Sequence, residues 1–246
     1  MAEDYYKGSF AGLQDFWEER GKTKSFEKDY SIRVEGIKQI VNEIHAYLRG
    51  RLILDVGCGP GIAASLFPAD SEVIGLDFSI SMLRNARNRI LRLVQGSAFN
   101  LPFGDCSFNV TTCLFVASDY SDKMGIFNES YRVLKENGFL FFSDYSLNDE
   151  HWELRRTIRP LMGEKCNIFL KDEDSLSNDI RQAGFKVQET KHLQFTTSFK
   201  LKRYVRSKNE MNRLKTNNPD LWNDIQGCIK NKKIHREFIL IIGRKE

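Results

Sequence analysis

The sequence predicts an α/β fold built on a doubly wound, mostly parallel sheet. Three observations lead there. Short apolar runs alternate with helix-patterned segments from residue 51 onward. A turn with three closely spaced glycines follows the first of those runs, in "RLILDVGCGPG". The chain closes on a long apolar run, "REFILIIGRK". Strand–helix alternation of this kind builds parallel sheets with helices on both faces.

The elements follow in order. Residues 1–34 are aromatic and charged, with Tyr5, Tyr6, Phe10, Phe16, Trp17, Phe26 and Tyr30, and show no strand pattern. "IRVEGIKQIVNEIHAYL" carries Val34, Ile37, Ile40, Val41, Ile44 and Leu48 at helical spacing and stops near Gly50. "RLILDV" reads as a short buried strand and "SEVIGLD" as a second. "SISMLRNARNRI" is a helix opened by Ser79 or Ser81 as cap. "LRLVQGS" is a strand, "LPFGDCSF" a turn-rich loop, and "NVTTCLFVA" a β-branched strand. "MGIFNESYRVLK" is a helix, and "NGFLFFSDYS" a turn and strand. "DEDSLSNDIRQAG" is a helix with a glycine stop, and "FKVQETK" a strand. Residues 199–235 read as helical with a break at Asn218-Pro219. The division expected is an N-terminal lid segment, 1–34, and a main domain, 35–246, with 199–235 inserted before the last strand. Both additions could cover the carboxyl edge of the sheet, where open α/β sheets bind ligands.

Composition narrows the class. The chain has 246 residues, 41% hydrophobic and 28% charged, as in ordinary globular proteins. No apolar run approaches the ~20 residues a membrane helix needs, and "MAEDYYKGSF" has no apolar signal core, so a cytoplasmic protein without a membrane partner is expected. Cys58, Cys106, Cys113, Cys166 and Cys228 form no CxxC pair, which points to neither a disulfide framework nor a zinc site. Charge is uneven. Residues 199–246 carry 13 Lys and Arg against 5 Asp and Glu, net +8, and the remainder is net −4. An acidic partner and a solvated basic face both fit that asymmetry.

The glycine turn carries the chemistry. Gly57, Gly59 and Gly61 leave bare backbone where the chain turns off the first strand, so a ligand can lie against it. Asp55 ends that strand, and Asp77 ends the next, at a place suited to ribose hydroxyls. A dinucleotide fingerprint needs glycine at 62, which is isoleucine here. A phosphate-binding P-loop needs GK[ST], which does not follow.

"LDVGCGPG" followed by "VIGLDFS" resembles the first two motifs of class I S-adenosylmethionine-dependent methyltransferases. The resemblance continues through "GSAFNLPFGDCSFNVTTCLFVASDYSD" and "ESYRVLKENGFLFFSDYS", over residues 36–198 and the last strand. It implies the Rossmann-like methyltransferase fold, with seven strands and the last antiparallel, and S-adenosylmethionine as cofactor, leaving as S-adenosylhomocysteine. It implies that Asp55, Gly57, Cys58, Gly59 and Gly61 surround the amino-acid end of that cofactor. Asp77 would accept from the ribose, and Phe78 would pack on adenine. Ser97 and Ala98 would lie at the adenine amino edge with Phe99 nearby, while Leu114 and Phe115 would face the methyl group. Two positions depart from the family pattern: Ser97 stands where an acid is frequent, and Asn109 stands for the aspartate of "SFD".

Because the cofactor brings an activated methyl group, the protein has mainly to align a nucleophile and exclude water. A general base is needed only where the nucleophile must lose a proton. Asp119, Asp144, Tyr145 and His192 stand near the expected edge, and spacing singles out none of them as catalytic. The [DN]-PP-[YF] motif of amino-methylating branches is absent, and "TCLFVASD" holds its place. The expected function is methyl transfer to a small-molecule acceptor. The alternatives are an RNA or protein acceptor held by the basic 199–246 region, and a cofactor-binding module without catalysis.

Overall fold

A computed structural model describes residues 10–23, 25–161, 169–201, 204–205, 207–231 and 233–246. Residues 1–9 of the aromatic segment, and Cys166, lie outside the described residues. Seven strands form one sheet: β1 Leu52–Val56, β2 Glu72–Asp77, β3 Arg92–Gln95, β4 Phe108–Leu114, β5 Leu134–Tyr145, β6 Lys186–Ser198 and β7 Lys233–Arg244. Their order is β3-β2-β1-β4-β5-β7-β6. The first five pair in parallel, and β7 runs antiparallel to β5 and β6. This is the doubly wound sheet expected, with its last strand reversed. The strand order changes direction between β1 and β4, so their carboxyl ends splay apart and leave a crevice.

Side-chain alternation divides the core into two layers. Along β7, Phe238, Leu240 and Ile242 face one side with Phe141 of β5, against Ile37, Ile40, Ile44 and Leu48 of helix α2 (Ser25–Leu48). Ile239 and Ile241 face the other side, with Phe142, against α4 (Met124–Val133) and α6 (Glu173–Gln182). A period of two along the strands and 3.6 along the helices is what lets each element serve one layer.

Helix α1 (Phe10–Lys22) precedes α2. Helix α3 (Ile80–Ala86) starts at Ser79, whose hydroxyl accepts the Met82 N–H at 3.2 Å. Helices α5 (Glu150–Leu161), α7 (Lys208–Asn217) and α8 (Pro219–Asn231) share a separate small core of Leu154, Ile158, Leu214, Leu221 and Ile225, closed by Tyr204, Val205 and Ile234. Among the described residues no helix is long and apolar enough to cross a membrane.

Some boundaries differ from the sequence reading. The division at 34/35 falls inside α2, which is continuous from Ser25. The helix read over 79–90 ends at Ala86, and the helical insertion ends at Asn231 because β7 begins at Lys233. The break at Asn218-Pro219 is the junction of α7 and α8. Helix α5 had no sequence assignment. Its start signal was available, since Asp149 accepts the Trp152 N–H at 3.0 Å as a helix cap does.

Candidate functional site

The chain leaves β1 through the glycine turn. Gly57, Gly59 and Gly61 all have positive φ, at 67°, 52° and 77°. A Cβ on Gly57 would lie 2.4 Å from Cγ2 of Val116, just past β4, so no larger residue fits between the two strand ends. The turn is tied to β2. The Gly59 N–H donates to Asp77 Oδ2 at 2.8 Å, and the Ser79 N–H donates to Asp77 Oδ1 at 2.9 Å. Asp55, one strand over, accepts from Thr112 Oγ1 at 2.7 Å through Oδ1.

These groups open into one shared cavity. Asp55, Gly57, Cys58, Gly59, Asp77, Phe78, Leu114 and Phe115, all expected at the cofactor, line it together. Gly61 does not line it and packs toward Ile90 and Arg89. Ser97, Ala98 and Phe99 stand outside the lining, at the end of β3. Ser97 Oγ accepts the Phe99 N–H, and the Phe99 ring meets Tyr120 edge-on at 4.8 Å. Tyr120 itself lines the cavity.

Helix α1 closes the other side. The Glu18 carboxylate accepts from Ser79 Oγ at 2.8 Å, the Ser81 N–H at 3.1 Å and Ser81 Oγ at 2.5 Å, at the start of α3. Across the crevice, Trp17 Nε1 donates to Asp119 Oδ2 at 3.0 Å. Neighbouring residues of one helix therefore hold both the β2 side and the β4 side. Trp17, Asp119, Ile37 of α2 and Met82 of α3 all line the cavity.

The β4 side has an unusual backbone. Phe115 adopts φ 61°, a conformation costly for an aromatic residue, while its N–H donates to Ser143 O at 2.8 Å. Its ring leans on Phe238 at 4.6 Å and Tyr145 at 5.0 Å. The turn beyond is pinned by Lys123, whose buried ammonium donates to Ala117 O (2.6 Å), Tyr120 O (2.7 Å) and Phe169 O (2.8 Å). Neither Trp17 nor Lys123 was singled out from the sequence. Trp17 was visible only as part of an aromatic segment.

Of the four candidate bases, Asp119 alone lines the cavity. Tyr145 is buried behind Phe115, among Trp152 and Phe238. Asp144 is buried beside it and accepts the Tyr145 N–H at 2.8 Å. His192 lies on strand β6, with Nε2 2.7 Å from Glu173 and Nδ1 3.0 Å from Glu237, and these two carboxylates raise its pKa.

Electrostatics mark the strand ends. Burial pushes Asp55 up to about 7, with Asp77 adding to the rise and Thr112 opposing it. Burial pushes Asp77 up to about 6 against the Ser79 and Gly59 N–H bonds. Burial also raises the Cys58 thiol, which keeps it protonated and unreactive. Asp55 Oδ2 is buried with no hydrogen-bond partner among the described residues. An orphaned carboxylate oxygen, a bare glycine turn and a second carboxylate fit a ligand that presents an ammonium group and vicinal hydroxyls, as S-adenosylmethionine does.

Comparison with known proteins agrees with this geometry. Residues 54–142 match a family described as a methyltransferase domain. A demethylmenaquinone methyltransferase of Corynebacterium kroppenstedtii is 35% identical over 98 residues, 39% of this chain and 43% of that protein. The chain thus spans less than half the length of that relative. An uncharacterized protein of Methanocaldococcus jannaschii is 25% identical over 75% of this chain and 72% of its own. The crystal structure of an S-adenosylmethionine-dependent methyltransferase from Thermotoga maritima superposes with a TM-score of 0.63, at 20% identity, over 94% of this chain and 100% of that one, and so shares the fold. The chain thus carries a methyltransferase domain over residues 54–142, on the Rossmann-like fold that the Thermotoga S-adenosylmethionine-dependent methyltransferase shares.

Proposed function

We propose that this protein transfers the methyl group of S-adenosylmethionine to a small-molecule acceptor bound in the same cavity, beside α1. The observation that carries the reading is the enclosure: Trp17 and Ile37, from helices outside the matched domain, line the cavity with Asp55 and Asp77. A small molecule fits such a recess better than a polymer does. A small molecule, demethylmenaquinone, is also what the Corynebacterium relative is named for.

When bound, S-adenosylmethionine supplies a methyl group activated by positively charged sulfur. The chain's own residues hold and enclose it. Asp77 accepts from the ribose hydroxyls, and Asp55 with Gly57, Cys58 and Gly59 takes the amino-acid end, while Gly61 turns the chain behind them. Phe78 covers the adenine, whose edge faces Ser97, Ala98 and Phe99. Leu114 and Phe115 border the methyl group and keep water away from it.

Calorimetric titration with S-adenosylmethionine tests this. The wild-type protein should bind it saturably. Asp77→Ala removes a buried charged acceptor and should weaken binding at least about tenfold. Unchanged affinity in that variant would overturn the ribose assignment, and absence of binding to the wild type would overturn the reading.

A second reading is favoured by one feature, the exposed cations Lys208, Arg213, Lys215 and Lys230 on α7 and α8. Under it the acceptor is RNA, and RNA binding falls steeply as salt rises. Binding that ignores salt, or no RNA binding at all, removes it.

A further inference from the structure

A buried ion pair stands behind the β4 wall of the cavity. Arg236 Nε donates to Asp149 Oδ2 at 2.7 Å, with 3% and 0% of the two side chains exposed. Asp149 is held in turn by the Glu237 N–H at 3.0 Å through Oδ2 and by the Trp152 N–H at 3.0 Å through Oδ1. The guanidinium carbon lies 5.5 Å from the centre of the Tyr145 ring and 5.6 Å from that of Phe238. Those two residues pair across β5 and β7, and the Phe115 ring rests on both, at 5.0 and 4.6 Å. Phe115 lines the cavity with φ 61°. A residue with a Cβ keeps such a conformation only where its surroundings over-determine it. Burying two opposite charges adds little net stability, because their attraction is offset by lost hydration. A planar cation stacked against two rings has another effect, which is to fix where those rings lie.

We propose that Arg236, clamped by Asp149, is a positioning residue that holds Phe115 against the transferable methyl group. It acts through the Tyr145 and Phe238 rings and touches neither the cofactor nor the acceptor. This rests on the methyltransferase reading above, which sets Phe115 beside the methyl group. The contacts run from ion pair to ring pair to cavity wall, and they tie the last strand to the end of β4. A methyl group on positively charged sulfur gains from an aromatic ring held next to it. Without the brace, Phe115 relaxes from its left-handed conformation and the wall draws back from the methyl group. Asp77 and the glycine turn stay in place, because the Gly59 and Ser79 N–H bonds hold them independently of β7.

S-adenosylmethionine and S-adenosylhomocysteine differ only in that methyl group and its charge. The ratio of their affinities therefore reads the wall beside the methyl group, whereas a general loosening of the site weakens both alike. Calorimetry on the full chain measures the two ligands for the wild type, Arg236→Met, Phe115→Leu and the variant carrying both changes. Each single change should lower the preference for S-adenosylmethionine at least about threefold. The two together should lower it no further, since they interrupt one line of contact. Arg236→Met leaves Asp149 as a buried unpaired charge, so Arg236→Met combined with Asp149→Asn carries the same measurement if the single variant does not fold. Equal weakening of both ligands, a ratio that stays at the wild-type value, or losses that add to those of Phe115→Leu each overturns the proposal. If neither ligand binds the wild type, the methyltransferase reading falls. If both bind and the ratio ignores Arg236, only the positioning role falls.

Discussion

Three buried carboxyls make the stability of the ligand-free protein depend on pH in a direction opposite to that of most folded proteins. Burial holds Asp55 at about 7, Asp77 at about 6 and Asp144 at about 7, all above the usual aspartate value of 3.8. Thr112 opposes the rise at Asp55, backbone N–H groups oppose it at Asp77, and Lys123 opposes it at Asp144. Raised carboxyls mean that the folded state binds more protons than the unfolded chain between those values and 3.8. Stability therefore falls as pH rises through that window. Going from pH 6 to pH 8, Asp55 and Asp144 each cost about 1.4 kcal/mol and Asp77 about 0.4 kcal/mol, together about 3 kcal/mol. His192, whose pKa Glu173 and Glu237 raise, acts in the same direction, because its contribution is lost as pH rises through its folded value. Glu237 is held at about 2 by bonds from Ser146, His192, Gln194 and Asn148 that outweigh its burial, and stays ionised throughout. Thermal unfolding of the cofactor-free protein at constant ionic strength should show a melting temperature about 6–12 °C lower at pH 8 than at pH 6. Asp144→Asn should shrink the difference by about 1.4 kcal/mol. Affinity for S-adenosylmethionine runs the other way and strengthens toward pH 8, where the carboxylates are ionised. Stability that is flat or rising from pH 6 to pH 8 would refute the reasoning.

Two further substitutions, with Gly50→Ala as a control, probe the frame of the site. Gly57→Ala places a methyl 2.4 Å from Val116 at φ 67°, and should cost about 2–4 kcal/mol in urea unfolding and weaken cofactor binding. Gly50→Ala has the same sign of φ and nothing within 4 Å, so it should cost only the backbone strain, about 1 kcal/mol; equal losses in the two would refute the close-contact argument. Lys123→Met leaves the carbonyls of Ala117, Tyr120 and Phe169 without their donor, and should lower stability by at least about 2 kcal/mol. Steady-state kinetics should show acceptor KM rising more than cofactor KM, since the loosened turn carries Asp119 and Tyr120, and the reverse order would refute that positioning role.

What the sequence made legible was local. Asp55 precedes Gly57 by two residues and Asp77 ends the next strand, so parallel pairing of β1 with β2 is enough to bring them together. The apolar runs of the sheet needed only a period of two. What stayed hidden depends on contacts between distant segments. The Trp17–Asp119 bond joins residues 102 apart, and the Lys123–Phe169 bond joins residues 46 apart. Tyr145 and His192 stood near the right edge by strand counting. Spacing cannot tell that Phe115 screens the one, or that β6 carries the other away on the far side of β7. Helix α5 escaped because its few apolar residues are shared between the sheet, where Trp152 meets Tyr145, and α7 and α8, where Leu154 and Ile158 pack, so its pattern is sparse among charges.

The site divides along the same line. Asp55, the glycine turn, Asp77 and Phe78 come from strand ends within residues 54–142, the part shared with many methyltransferases. Trp17 and Ile37 come from α1 and α2, outside that part, and lie against the opposite wall. The sheet's strand ends can then keep one donor in place while the added helices choose what receives it, because changing α1 leaves both core layers of the sheet intact. The two walls are nonetheless joined through consecutive residues, Trp17 to Asp119 and Glu18 to Ser79 and Ser81. A helix anchored on the β4 side of the crevice by one residue and on the β2 side by the next cannot shift without disturbing both. Under the proposed function, its placement would set the distance between donor and acceptor, on which methyl transfer depends steeply.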